Sequence, residues 1–152
     1  MRSEGSMSLF NLVKRAVRFV PLAFLASCGD TTGTVPVLPP PSTTIQADPP
    51  FQAVVQEIFE RKGCAISECH GTRREGDLDL RNGSSYDNLL SVVSVGEDVI
   101  RVIPGNADFS YLVIKLEDRQ SEGDPMPFDS PVLDPVDLAH IKNWINQGAK
   151  RN

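Results

Sequence analysis

The chain has 152 residues, 40% hydrophobic and 23% charged, with 12 prolines, 11 glycines and three cysteines. That is enough for about one domain and no more, which excludes a large multi-domain enzyme, and no apolar run reaches the ~20 residues of a bilayer-spanning helix. The net charge of −5 is uneven: residues 1–27 hold Arg2, Lys14, Arg15, Arg18 and a single acid, Glu4, and the remainder keeps 11 of the 15 basic and 19 of the 20 acidic groups, a net −8. An acidic body of that kind argues against nucleic acid, whose phosphates demand a basic face.

Lys14, Arg15 and Arg18 precede the short apolar run Phe19–Ala26, and small residues follow. A basic stretch, a brief apolar stretch and a small-residue end form the pattern of an export signal. The run closes on Leu25-Ala26-Ser27-Cys28, which resembles the lipobox of bacterial lipoproteins. That resemblance implies that residues 1–27 are a signal peptide, removed on export. It further implies that Cys28 is the lipidation site and the new N-terminus, held by several acyl chains where one would be marginal. The alternative is a buried N-terminal helix with an incidental thiol. Residues 28–48 are rich in proline, threonine and serine, include Pro39-Pro40-Pro41, and show no period. They are expected to form an extended, semi-rigid tether. The protein is thus expected in the cell envelope, facing the periplasm, anchored through Cys28 and assigned to the outer rather than the inner membrane.

The remaining residues, 49–152, read as helices joined by irregular loops. Phe51, Val54, Val55, Ile58 and Phe59 repeat at helical spacing, with Arg61 and Lys62 in the last turn and Gly63 as the stop. Ser84 to Val93 places Tyr86, Leu89, Leu90 and Val93 on one face, with Ser84 or Ser85 as cap. A third helix is expected after Pro104-Gly105, carrying Tyr111, Leu112, Ile114, Lys115 and Leu116 from a cap near Asn106 or Asp108. The fourth has Asp134 as cap, Pro135 at the first position, Asp137 in the first turn, a stripe of Leu138, Ile141, Trp144 and Ile145, and Gly148 as stop. Between the third and fourth lies a loop, Asp118 to Leu133, with three prolines; connections that long in a compact domain are usually functional.

The chemistry-bearing residues follow the first helix. Cys64-Ala65-Ile66-Ser67-Glu68-Cys69-His70 has the order of a haem c attachment site, normally C-x-x-C-H, with a gap of four residues where two are usual. Two thiols add to the vinyl groups and the adjacent imidazole sits under the iron. Two other readings stay open. Cys64 and Cys69 can pair as a disulfide in an oxidising compartment, giving a haem-free binding or structural lipoprotein. A zinc site would need a fourth ligand from acids or His140. Met126, in Asp124-Pro125-Met126-Pro127, is the only methionine after the expected signal. It is either a core filler or a thioether ligand, and its place between prolines in a polar loop favours the ligand.

Taken together, Gly63-Cys64…Cys69-His70-Gly71, Gly76-Asp77-Leu78-Asp79-Leu80, Val102-Ile103-Pro104-Gly105-Asn106, Ser110-Tyr111-Leu112, Met126-Pro127 and Ile141–Ala149 resemble the cytochrome c-type domain of exported planctomycete, myxobacterial and marine bacterial proteins. The resemblance spans Phe51 to Ala149 and departs from the pattern in the four-residue gap. It implies an all-α, cytochrome c-like fold of about four helices with long irregular loops around one covalent haem c. It also implies that Cys64 and Cys69 attach the haem and that His70 and Met126 are the axial ligands. The function it implies is single-electron transfer, without enzymatic turnover, between redox partner proteins that dock a basic face on the acidic surface. Within that picture Arg81 and Arg101 are either propionate counter-cations or solvent-exposed, Tyr111 is core, Trp144 is core or pocket wall, and His140 is partly exposed or a distal ligand.

Overall fold

The structure is a computed structural model that describes residues 44–152. The expected signal peptide, Cys28 and most of the tether lie outside the described residues. Within them the fold is mainly α, with four helices and no strand: α1 (Gln56–Arg61), α2 (Ser85–Leu89), α3 (Tyr111–Leu116) and α4 (Pro135–Asn146). A π-type turn, Phe51–Val55, leads directly into α1, and a short 3₁₀ turn covers Glu75–Asp77.

The helix α4 forms as its sequence dictates. The Asp134 side chain accepts from the Asp137 N–H at 3.0 Å, Pro135 fills the first position, and Gly148 takes φ +97° beyond the end. Its inward stripe of Ile141, Trp144 and Ile145 is fully buried and packs against the Phe51–Val55 turn and α3. Phe51, Tyr86 and Trp144 make an aromatic trio with ring centroids 4.9 to 6.3 Å apart. The indole N–H donates to the Lys150 carbonyl and the Tyr86 hydroxyl to that of Ala149, so neither polar tip is left unpaired in the core. Pro50 offers no side-chain cap to the opening turn. Its exposed N–H groups are met instead by Asn152, whose Oδ1 accepts from Phe51 N and whose backbone oxygen accepts from Gln52 N, each at 3.0 Å.

The wider π turn carries Gln56 inward. Its Nε2 donates to Leu80 O and Glu60 Oε1, its Oε1 accepts from the Ser85 hydroxyl, and the side chain is fully buried. At the other end of α1, Arg61 reaches Asp137 at 2.8 Å, and Lys62 reaches Asp134 at 2.7 Å and Asp137 at 3.1 Å. Cations at a helix C-terminus thus face acids at a helix N-terminus, and each dipole is complemented by the other helix's charges.

Three boundaries differ from expectation. The second helix ends at Leu89, four residues early, because Ser91 turns to φ +57° and donates to Val102 O, and Leu90 and Val93 enter isolated β-bridges with Val102 and Ile100. The third helix starts at Tyr111 without a side-chain cap. Tyr111 N and Leu112 N donate to Ile100 O and Arg101 O, while Ser110 Oγ accepts from Ile103 N and donates to Asn106 O. The last residues of the expected tether, 44–48, lie against the domain. His140 Nε2 donates to Thr44 O, Asn143 Nδ2 to Gln46 O, and Lys150 pairs with Asp48.

Candidate functional site

The segment from Gly63 to Leu80 is a compact knot without α-helix or strand, its one regular piece the 3₁₀ turn at Glu75–Asp77. Gly63, at φ +74°, turns the chain out of α1, and Cys64 N donates back to Phe59 O. His70 N donates to Cys64 O, Gly71 N to Ile66 O and Leu80 N to His70 O. Gly71 is required by space. A Cβ there would stand 2.4 Å from Ile66 O and 2.5 Å from Ala65 O, so any other residue forces the loop open. The extra two residues between the cysteines are accommodated by this fold-back, in which the backbone of residue 71 lies directly on that of residues 65 and 66.

The His70 ring is fixed by the same loop. Its Nδ1 is 2.7 Å from the Glu75 carbonyl oxygen, which only accepts, so Nδ1 carries the proton and the neutral ring presents its lone pair at Nε2. Burial outweighs the pull of the Glu75 and Leu78 carbonyls and holds the imidazole below its ordinary value. A backbone carbonyl on Nδ1 is the usual outer partner of a metal-binding histidine.

His70 and Met126 line one cavity of about 340 Å³, within the size range of ligand sites. Its apolar walls come from Leu78, Leu89 and Leu112. Met126 is delivered by the loop after α3, where its N–H donates to Lys115 O at 3.0 Å and the Met126–Pro127 bond is cis. The two residues are 56 positions apart in sequence, so the fold has joined the imidazole and the thioether that sequence reading singled out separately.

The thiols behave differently. Cys64 and Cys69 are free, half-buried and outside the cavity lining. Cys64 packs against the core, and burial pushes its thiol up to about 11, which keeps it protonated and weakly nucleophilic near neutrality. Among the described residues no three His, Cys, Asp or Glu side chains converge on a bare-ion site.

Arg101 is buried, 5% exposed, and lines the cavity. Its guanidinium donates to Asn88 O at 2.9 Å and to Gly76 O and Asp77 O at 3.0 Å, with no carboxylate in an ion pair among the described residues. Burial lowers its pKa against a weak pull from Asp77. Arg81, by contrast, grips Asp79 with bonds of 2.9 and 2.6 Å and does not reach the cavity. Tyr111 is half-buried on the cavity wall rather than in the core, with its hydroxyl on Glu97. Trp144 is core and not wall, and His140 is buried on the face that meets residue 44, away from the cavity. Sequence reading missed Glu97 and Glu122 at the cavity and took Lys115 only as a helical residue. The detectable signal was α3 itself, where Tyr111, Leu112 and Lys115 fall at i, i+1 and i+4 and share the cavity-facing side.

Comparison with family models, with curated proteins and with solved structures finds no match to this chain.

Proposed function

We propose that the chain is an envelope-tethered, monohaem c-type cytochrome that carries single electrons between partner proteins. The observation that carries this reading is the convergence of His70 and Met126 on one apolar cavity, with the Nδ1 of His70 committed to a backbone carbonyl. An imidazole and a thioether are the donor pair of a low-spin electron-transfer haem. Such a haem supplies a one-electron iron couple whose potential the thioether raises.

The chain's own residues have separable tasks. Glu75 O orients the His70 ring, and Leu78, Leu89 and Leu112 exclude water. Arg101 presents a buried cation without a carboxylate partner to an anionic group of the ligand. Cys64 and Cys69 are the attachment thiols, next to His70 in the loop. The acidic exterior favours a partner with a basic docking face and transfer rates that fall with salt. Cys28 would hold the protein to the membrane through lipid.

The test is a reduced pyridine haemochrome spectrum and an intact mass of the chain produced with a c-type maturation system. A c-type spectrum with the added mass of one haem is expected, lost in Cys69→Ala and altered in Met126→Ala. No haem absorbance, with a mass lighter by the hydrogens of a Cys64–Cys69 disulfide, would replace this reading with a haem-free lipoprotein.

A further inference from the structure

The loop that carries Met126 has little to hold it by burial ahead of Met126, which is itself half-buried and packs against the core. From Asp118 to Pro125 only Gln120 is even half-buried, and the next fully buried apolar residue after Leu116 is Leu133. Two charged side chains on separate elements hydrogen-bond to the loop. Glu97, in the turn at residues 95–97, accepts through Oε1 from the Glu122 N–H at 3.0 Å and the Tyr111 hydroxyl at 3.1 Å, and through Oε2 from the Ser121 hydroxyl at 3.0 Å. One carboxylate thereby ties the turn, α3 and the Met126 loop together across the cavity. Lys115, on α3, holds the same loop a few residues further on. Its Nζ donates to Asp124 O at 2.6 Å and Glu122 O at 3.3 Å, and its own carbonyl accepts from Met126 N. The Nζ also stands 5.7 Å from the Tyr111 ring centroid, which keeps the ammonium on the cavity side of the helix.

We propose that Glu97 and Lys115 form a clasp that fixes the Met126 loop over the cavity, which makes them positioning residues for the thioether; the thioether's role as a ligand rests on the haem reading above, while the clasp does not. Lys115 holds backbone carbonyls of Glu122 and Asp124, and Glu97 accepts from the Glu122 N–H and the Ser121 hydroxyl, so within the loop only Ser121 contributes a side chain to the clasp. The hydrogen bonds that Glu97 accepts, with the charge of Lys115 behind them, more than offset the burial that opposes them and hold the carboxyl below its ordinary value.

Amide hydrogen exchange of the full chain, wild type against Glu97→Ala/Lys115→Ala, tests the clasp with or without haem. Loss of several bonds should speed exchange at Glu122 and Met126 by about tenfold or more and leave α1 and α4 unchanged. Glu97→Gln, which keeps one acceptor oxygen, should recover part of the protection. Acceleration below about threefold at both amides, or equal acceleration throughout α1 and α4, would overturn the clasp. In the haem-loaded chain the double variant should also lower the reduction potential and weaken the thioether–iron charge-transfer band. An unchanged potential and band would overturn the positioning role. Failure of the chain to take up haem would instead remove the ligand reading, and the exchange result would still decide the clasp.

Discussion

The apolar junction of the Phe51–Val55 turn and α1 with α4, apart from the ion pairs at the end of α1, and the wall of the cavity are built on opposite principles. At the junction, large apolar side chains meet side chains: Phe51, Ile58, Phe59, Trp144 and Ile145 are all 3% exposed or less. At the cavity, charged side chains meet backbone: Arg101 holds three carbonyls, Lys115 holds two, and Glu97 accepts one amide N–H. The first arrangement gives stability in proportion to area removed from water. The second gives a shaped rim with little area, held by bonds that each contribute only about 1 kcal/mol net. A small domain can therefore keep a cavity open beside its core only by replacing apolar contact with directed polar contact where the core stops.

The contrast can be broken from either side. Trp144→Ala removes the centre of the aromatic trio and should cost about 3–5 kcal/mol, read as a lower midpoint in chemical denaturation with every probe shifting together. Arg101→Leu should cost less, about 1–3 kcal/mol, because it removes three hydrogen bonds of a buried guanidinium to the carbonyls of Gly76, Asp77 and Asn88. Its exchange signature should be confined to residues 76–90, and uptake of an anionic ligand should fall more than stability does. A uniform loss of protection across the chain would place Arg101 with the core instead.

Acid sharpens the distinction further. The carboxyl of Asp79 is held down to about 2, chiefly by its bonds from Arg81, against an ordinary value of 3.8. A depressed carboxylate contributes stability that is fully present above its unfolded value and is lost as pH falls toward the folded one. The Asp79 contribution should therefore be flat from neutrality to about pH 5 and then fall down to about pH 2, below the range in which the depressed His70 imidazole acts. Asp79→Asn should flatten part of that fall. The smallest effect belongs to the exposed pair of Arg151 and Asp87, 2.8 Å apart, where Arg151→Ala should change stability by less than about 1 kcal/mol in thermal unfolding.

How far the sequence could be read follows the same division. All of α4 was legible, since its cap, its first-position proline, its stripe and its terminal glycine are local signals, and its stripe meets the face of Phe51 and Val55 as helical spacing requires. Across the cavity, the sequence points to residue types and not to the turns and loops that surround them. His70 and Met126 were singled out by chemistry alone, and the fold brings them together. The early end of α2 and the late start of α3 depend on Ser91, Tyr111 and Leu112 finding backbone partners in residues 100–102, which no local pattern announces. Of the two expectations for Arg101, exposure to solvent fails, since it is buried among carbonyls on the cavity wall. A long charged residue carries no period, so its burial is visible only once the loops that surround it are placed.

The contacts of residues 44–48 with the end of the domain carry a mechanical consequence. Thr44 O on His140, Gln46 O on Asn143 and Asp48 on Lys150 lie in sequence order along and just past α4. A pull on the leading segment loads them one after another, as a peel rather than a shear, and each yields separately before strain reaches Phe51. The aromatic trio is thereby insulated from drag on the lead.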